Sequence, residues 1–196
     1  LLIATFGNGL LELDLKTDKI VKEYVHHDED SSSISNNNVM CMTRWNKDTL
    51  LVGSFGGGFS VFDYKNSSFT NFGIVDGLSN ESIYGIVKES NTHCWFSSNK
   101  GLTRFNMWTN EVNNYDRISQ VQSLEFNEGA FMKGSNNAIY FGGINGVNFF
   151  NPKQIKKNTL APKVIIQGMR IFEEPFNYTG AQSSDEIVQL KYKQNF

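Results

Sequence analysis

The stretch LLVGSFGGGFSVFDYKNSSFTNF, Leu50–Phe72, contains a short apolar strand, a glycine turn, a second apolar strand, a polar turn and a final strand. The first part of this pattern occurs four times, as LLIATFGNGLLELD (1–14), LLVGSFGGGFSVFD (50–63), HCWFSSNKGLTRFN (93–106) and AIYFGGINGVNFFN (138–151). Repeats of about 40–50 residues with about four strands each are typical of β-propeller blades. The chain is therefore predicted to be all-β and built from blades.

Two positions of the repeat are nearly constant. A turn glycine recurs, and an Asp or Asn follows it after five residues; the pairs are Gly9 and Asp14, Gly58 and Asp63, Gly101 and Asn106, and Gly146 and Asn151. A tight hairpin needs positive φ, which Gly and Asn adopt readily, so turns explain the glycines. A phosphate-binding loop would need a helix directly behind it, and the sequence predicts none.

The repeats predict a partial β-propeller of about three and a half four-stranded blades over residues 1–155. Strands are expected at 1–5, 10–14, 20–25, 39–45, 50–54, 59–63, 69–72, 83–89, 93–97, 102–106, 118–126 and in two pieces of 138–150. Residues 156–196 are interpreted as the first strands of an immunoglobulin-like sandwich, with strands at 164–172 and 186–192. Such a partial propeller cannot close into a ring, so it has open sheet edges or packs against another surface.

Composition excludes several functions. The formal net charge is −2, whereas a nucleic-acid surface needs a basic patch. No apolar run approaches the roughly 18 residues of a membrane span. Cys41 and Cys94 are predicted to be buried free thiols, and nothing resembles a zinc spacing. We therefore expect no metal and no cofactor.

Aromatic residues are the first candidates for sugar binding, because a pyranose face stacks on an aromatic ring. Trp95 shares its repeat position with Ile3, Val52 and Tyr140 and is predicted to pack between blades. Trp45 occupies the position of Glu89, at the end of an innermost strand, and is expected to be exposed. Either ligand contact or local packing fits Trp45.

The candidate ligand-binding residues are Arg44, Trp45, Glu89, His26 and His27. The two histidines begin the polar segment HHDEDSSSISNNN (26–38), which is interpreted as a solvated connection or as a loop that reaches over a ligand site. No third metal ligand accompanies them. Trp108, in an outer turn opposite Lys16 and Lys65, is expected to be exposed and is a candidate subunit contact.

Several segments resemble a known family. GLSNESI (77–83), WFSSNKGLTRFN (95–106) and IYFGGINGVNFFNPKQI (139–155) followed by APKVIIQGMRIF (161–172) resemble the regulator-propeller repeats of hybrid two-component sensors and their junction with the triple-tyrosine immunoglobulin-like domain. The resemblance implies a periplasmic, homodimeric sensor that receives an oligosaccharide and signals through a membrane helix to a histidine kinase. Neither the tyrosine-bearing half of that sandwich nor a kinase lies in these 196 residues, so no catalytic histidine is assigned.

Two other functions remain open from the sequence. Some propellers are lyases or hydrolases that use acid–base groups on the innermost strands, but the strands expected there, VMCMTRW, IYGIVKE and VQSLEF, offer only Glu89 and Glu125. The other alternative is a protein-interaction scaffold. Turnover of a glycan would favour the enzyme, and partner capture without small-molecule binding would favour the scaffold.

Overall fold

The computed structural model describes residues 1–119, 121–155, 169–171 and 174–176. The predicted all-β fold is confirmed. The chain divides into two compact units, Leu1–Ile155 and Lys156–Phe196. In the first unit, four antiparallel sheets follow one another along the chain, and each is a meander of consecutive strands.

The sheets of the first unit contain strands β1 to β14. Sheet 1 contains β1 (Leu2–Ala4), β2 (Leu10–Asp14) and β3 (Lys19–Tyr24). Sheet 2 contains β4 (Val39–Arg44), β5 (Thr49–Ser54), β6 (Phe59–Asp63) and β7 (Ser68–Phe72). Sheet 3 contains β8 (Ile83–Lys88), β9 (His93–Ser98), β10 (Gly101–Asn106) and β11 (Val112–Tyr115), and sheet 4 contains β12 (Phe126–Lys133), β13 (Ile139–Gly143) and β14 (Gly146–Phe150).

The second unit is described only in part. β15 (Met169–Ile171) pairs with β16 (Glu174–Phe176) in an antiparallel hairpin. β15 falls within the strand predicted at 164–172. The strand predicted at 186–192 lies outside the described residues.

Apolar side chains fill the space between successive sheets. Side chains alternate across a strand, so Val52 faces sheet 1 while its neighbour Leu51 faces sheet 3. The three clusters contain, in order, Leu10, Ile34, Val52 and Phe62; Leu51, Phe59, Phe96 and Phe105; and Trp95, Leu102, Ile139 and Phe141. Each fully buried side chain of this size contributes about 1.5–3 kcal/mol. Each pair of successive sheets therefore encloses its own apolar core.

The constant Asp or Asn of the repeat has a structural role. The side chain of Asp63 accepts a hydrogen bond from the backbone N–H of Lys65, at 2.9 Å. The equivalent bonds join Asp14 to Lys16, Asn106 to Trp108 and Asn151 to Lys153. A side chain that bonds the backbone two residues ahead fixes a turn, which explains why only Asp and Asn occur here.

A recurring segment, here called the linker motif, joins each sheet to the next. It comprises 34–39, 78–83 and 121–126, which align as ISNNNV, LSNESI and VQSLEF. In the second of these, the Asn80 side chain accepts from the N–H of Ser82, while the carbonyl of Glu81 accepts from Gly58 of the preceding sheet at 2.7 Å. Each linker motif thus caps the glycine turn of the sheet before it.

One sequence prediction fails at the linker motif. VQSLEF was expected to be the innermost strand of sheet 4, but that strand begins only at Phe126, because Ser123 forms the same local turn as Asn80. Glu125 consequently lies outside the strand and is exposed. The polar segment 26–38 was interpreted as a solvated connection or as a loop over a ligand site; within it, Ile34 is completely buried in the first core.

The predicted alignment of Trp95 is wrong by one residue. Trp95 lies opposite Arg104 and occupies the place of Leu51 and Leu2, whereas Phe96 takes the place of Val52 and Ile3. The glycine turns of sheets 1 and 2 are one residue longer than those of sheets 3 and 4, which shifts the preceding strand. The packing prediction itself is confirmed, since Trp95 contacts Phe150 of the next sheet at 4.6 Å between ring centroids.

Candidate functional site

The predicted site residues lie at opposite ends of the sheets. We call the end with the repeat glycines and linker motifs the glycine end, and the end with the Asp63-type turns the Asx end. His26 and His27 come shortly after β3, at the glycine end. Arg44 is the last residue of β4 and Trp45 comes next, so both lie at the Asx end. Glu89 also lies at the Asx end, directly after β8. These residues do not form one site.

Trp45 is buried, with 9% of its surface exposed, and the expectation that it would be exposed is wrong. It packs in the core between sheets 2 and 3. The ammonium group of Lys88 lies 4.6 Å from the centre of the Trp45 ring and donates a hydrogen bond to the Trp45 carbonyl. Such a cation–π contact holds the ring in place. Of the two roles left open for Trp45, the structure shows local packing.

Glu89 is engaged by two partners. Arg104 donates to both carboxylate oxygens, at 2.8 Å and 2.7 Å, and the indole N–H of Trp95 donates at 2.7 Å. Burial alone would raise the pKa of Glu89, but the hydrogen bonds from Arg104 and Trp95 outweigh it, so the pKa lies below its ordinary value of 4.5. Glu89 is therefore a carboxylate held in a structural ion pair.

Sheet 4 is joined to the same cluster. The ammonium group of Lys133, on β12, donates to the backbone carbonyls of Glu89 at 2.8 Å and Lys88 at 3.2 Å. The Asx end near the innermost strands is thus a set of mutually satisfied polar groups that ties sheets 2, 3 and 4 together. Arg44, nearby, is exposed.

The glycine end carries two exposed aromatic rings that the sequence analysis did not identify. Phe6 is 70% exposed and Phe55 is 44% exposed, and their ring centroids are 6.3 Å apart. Both residues stand at the start of a glycine turn, in TFGNG and SFGGG. A phenylalanine beside a turn glycine in two successive repeats was the signal that could have revealed them. We call this feature the Phe6–Phe55 pair.

Backbone contacts to the first linker motif fix the Phe6–Phe55 pair. Phe6 forms a β-bridge with Asn38, and the N–H of Phe55 donates to the carbonyl of Asn38 at 2.9 Å. The N–H of Gly7 donates to the carbonyl of Asn37 at 3.0 Å. One linker motif therefore positions both turns, although they belong to different sheets.

Polar groups lie close to the Phe6–Phe55 pair. The side chain of Asn37 accepts from the N–H of His26 at 2.7 Å, so the loop after β3 is hydrogen-bonded to the first linker motif. The His26 ring contacts the carbonyl of Ile34 at 2.8 Å and the carboxylate of Asp28 at 3.1 Å. Residues 26–32 are exposed. The loop after β3 thus brings exposed polar groups to the same linker motif that fixes the two rings.

Trp108 is 77% exposed, as predicted. It lies in the turn between β10 and β11, at the Asx end, where its backbone N–H donates to Asn106. A subunit contact through Trp108 stays a prediction.

The described residues offer no other reactive cluster. Cys41 and Cys94 are buried and free, as predicted. Burial raises the pKa of the Cys41 thiol to about 12 and also raises the pKa of Cys94, so neither is a ready nucleophile. Within the described ranges, no group of three or more His, Cys, Asp or Glu residues is arranged to hold a metal ion. None of the helices described is long and apolar enough to cross a membrane.

Comparison with known proteins finds similarity to one protein in sequence and to several solved structures in fold. No family model matches the chain. Histidine kinase P4 of Formosa agariphila is 33% identical over 127 residues, which cover 64% of this chain and 9% of that protein. Two solved structures, described as extracellular domains of the hybrid two component systems BT3049 and BT4673 from B. thetaiotaomicron, both match with a TM-score of 0.65.

The matched structures are 21% and 20% identical in sequence to this chain, and the matches cover 77% and 78% of it. They cover only 20% and 21% of those domains. At this identity the likeness shows the fold. The chain is thus similar to part of a histidine kinase in sequence and to parts of extracellular domains of two-component systems in fold.

Proposed function

We propose that this chain is a non-catalytic fragment of the extracytoplasmic sensor of a hybrid two-component system. In this proposal, residues 1–155 are the last blades of a regulator-type propeller and residues 156–196 begin a triple-tyrosine immunoglobulin-like domain. The parent protein is a periplasmic homodimer that recognises an oligosaccharide and signals to a transmembrane histidine kinase. The sequence likeness to a histidine kinase and the fold shared with extracellular domains support this proposal.

The observation that carries oligosaccharide recognition is the Phe6–Phe55 pair. Sugars present apolar C–H faces and hydroxyl groups together, so their binding sites combine exposed rings with hydrogen-bonding side chains. The pair provides two such rings 6.3 Å apart, and the linker motif that fixes their turns also carries Asn37, whose side chain accepts from the N–H of His26. Because the linker motif fixes the turns, little conformational entropy is lost when the rings bind a ligand.

Acid–base catalysis finds less support in the same structure. Both oxygens of Glu89 accept hydrogen bonds from Arg104, and its lowered pKa makes it a poor proton donor near neutral pH. Glu125 lies outside the innermost strand. The second of the two carboxylates that the enzyme hypothesis required is therefore misplaced for a site among the innermost strands.

Signal relay follows from differential affinity. A ligand shifts a conformational equilibrium only by binding one state more tightly than another. Phe6 belongs to the turn of sheet 1 and Phe55 to that of sheet 2, so a sugar bound across both rings favours arrangements in which these sheets keep their present spacing. In the dimeric parent, this preference would bias the arrangement of the two sensor halves.

The test is isothermal titration calorimetry of the chain against plant, host and microbial oligosaccharides. We expect at least one oligosaccharide to bind the wild type and to lose most of its affinity for the Phe6→Ala, Phe55→Ala double variant. Trp108→Ala is the matched control, because it removes an exposed aromatic ring from the opposite end of the sheets. Loss of binding in the control with retention in the double variant would overturn the proposed site, and activation of the parent by a peptide instead would overturn the sugar part.

A further inference from the structure

The chain contains two Asn–Gly dipeptides, and both lie in turns at the glycine end of the sheets. Asn8 and Gly9 lie in the turn between β1 and β2, and Asn145 and Gly146 lie where β13 turns into β14. Each glycine is the repeat glycine of its sheet. Two dipeptides with the same reactive atoms thus occupy equivalent places in sheets 1 and 4, so their surroundings can be compared directly.

An Asn–Gly dipeptide is reactive because the backbone nitrogen of the glycine can reach the asparagine side chain. That nitrogen loses its proton and attacks Cγ of the asparagine, so that an N–Cγ bond forms and the Cγ–Nδ2 bond breaks. The Nδ2 group takes up a proton and leaves as ammonia, and the chain closes into a succinimide ring. Water then opens the ring at either of its two carbonyls and leaves aspartate or isoaspartate. Glycine favours the attack because it has no Cβ to obstruct the ring.

Gly9 is held where this attack is hindered. It is buried, and its N–H donates to the carbonyl of Asn37 in the first linker motif at 2.8 Å. Its carbonyl accepts from the N–H of Thr5 at 3.0 Å and from the Thr5 hydroxyl at 2.8 Å. The carbonyl of Tyr24, on the outer strand β3, lies so close that an added Cβ on Gly9 would overlap it. Attack by the Gly9 nitrogen therefore requires a local opening that breaks these contacts.

Gly146 lacks the cover that the other repeat glycines have. In sheets 2 and 3 the N–H of the repeat glycine also donates to a linker carbonyl, from Gly58 to Glu81 at 2.7 Å and from Gly101 to Leu124 at 2.8 Å. Among the described residues, no linker carbonyl accepts from Gly146. Gly146 is exposed, and no described atom lies within 4 Å of a Cβ built on it. Its nitrogen is therefore the most accessible of the four.

Asn145 is exposed as well. Its backbone N–H donates to the side-chain oxygen of Gln122, in the third linker motif, at 2.8 Å. This bond holds the turn on the side of the asparagine but leaves the reacting atoms at the surface. We propose that Asn145 is a deamidation site, at which the Gly146 nitrogen displaces ammonia and water completes the conversion to aspartate and isoaspartate. This inference does not depend on the proposed function.

The products change the turn. Both carry a negative charge that asparagine lacks, and isoaspartate adds one carbon atom to the main chain. That atom enters the chain directly beside the two N–H groups that bond the third linker motif, those of Asn145 with Gln122 and of Ile144 with the carbonyl of Glu125 at 3.3 Å. Deamidation therefore loosens the contact between this turn and the linker motif.

The test is peptide mapping by mass spectrometry after the 196-residue chain has been incubated in mildly alkaline buffer. Trypsin releases Asn8 in the peptide 1–16 and Asn145 in the peptide 134–153, and fragmentation assigns the deamidated residue. Because reaction at Asn8 must first break a buried hydrogen bond, we expect Asn145 to deamidate about tenfold faster. A methyltransferase specific for isoaspartate should label the peptide 134–153.

Incubation in urea is the matched control, because unfolding exposes both dipeptides and should make the two rates similar. Asn145→Gln should remove the fast reaction and leave the rate at Asn8 unchanged. Equal rates in the folded chain, a faster reaction at Asn8, or a ratio of rates that stays the same in urea would overturn the proposal. None of these results bears on sugar binding at the Phe6–Phe55 pair.

Discussion

The Asx end and the glycine end of the sheets use similar residue types for different purposes. At the Asx end, Lys88 of sheet 3 covers the Trp45 ring of sheet 2 and donates to its carbonyl, while Arg104 and Trp95 satisfy the carboxylate of Glu89. At the glycine end, Phe6 and Phe55 are exposed, and the linker motif fixes only their backbones. A charged or aromatic residue near a sheet end therefore indicates a ligand site only when its neighbours leave its side chain free.

The largest expected loss of stability comes from a substitution at the glycine end. Gly58→Ala places a Cβ against the carbonyl of Phe72 at a residue with a φ of +68°, so the turn must shift. We expect the free energy of unfolding to fall by about 3 kcal/mol, because backbone strain and a lost cap act together. Urea denaturation followed by circular dichroism measures this change.

Gly146→Ala is the matched control for Gly58→Ala. Its φ of +122° also disfavours alanine, but no described atom within 4 Å obstructs the new methyl group. The loss should therefore be smaller than for Gly58→Ala. Equal losses for the two variants would show that the outer strand does not press on the glycine turn.

A smaller loss is expected at the Asx end. Glu89→Ala leaves the guanidinium of Arg104 and the indole N–H of Trp95 without their acceptor. Unpaired, partly buried donors are costly, and we expect a loss of about 2 kcal/mol. Asp48→Ala, which breaks the solvent-screened ion pair with Lys65, should cost clearly less than Glu89→Ala. Similar losses in the two denaturation curves would contradict a structural role for Glu89.

The pH dependence of stability gives a second test of the contribution of Glu89. The pKa of Glu89 is lowered in the folded chain, so its contribution is present above its ordinary value of 4.5 and is lost as the pH falls through the lower, folded value. The stability difference between wild type and Glu89→Gln should therefore shrink below pH 4.5. Denaturation curves between pH 3 and 7 test this prediction. A stability difference that grows on acidification would contradict it.

Much of this architecture is predictable from the sequence because it is local. Glycine turns and Asp or Asn caps depend on residues within one hairpin, so four copies could be aligned and the strands placed within one or two residues. The strand expected at 118–126 failed because Ser123 forms a linker turn, a contact pattern visible only beside the linkers at Asn36 and Asn80.

The candidate site was less predictable, because side-chain exposure depends on distant partners. Trp45 is covered by Lys88, and Glu89 is paired with Arg104, which is 15 residues away along the chain. The turns of Phe6 and Phe55 form β-bridges with Asn38 and Ser82, which belong to the next linkers. Apart from the Glu89–Arg104 pair, which lies within sheet 3, these contacts join one repeat to the next, and no pattern within a single repeat encodes them.

The smallest expected effect on stability belongs to the Phe6–Phe55 pair. Phe6→Ala and Phe55→Ala each remove an exposed ring without disturbing the backbone bonds to Asn37 and Asn38. The free energy of unfolding should change by no more than about 0.5 kcal/mol. A loss of several kcal/mol in the urea denaturation of either variant would mean that the rings serve the core rather than a ligand.

The central claim is that ligands bind at the glycine end, and an NMR titration of the ¹⁵N-labelled chain with an oligosaccharide selected by calorimetry tests it most directly. The account predicts shifts at the backbone amides of Gly7 and Gly56 while the indole N–H signals of Trp45, Trp95 and Trp108 stay in place. Shifts at the Trp45 or Trp95 indole, with Gly7 and Gly56 unchanged, would contradict it.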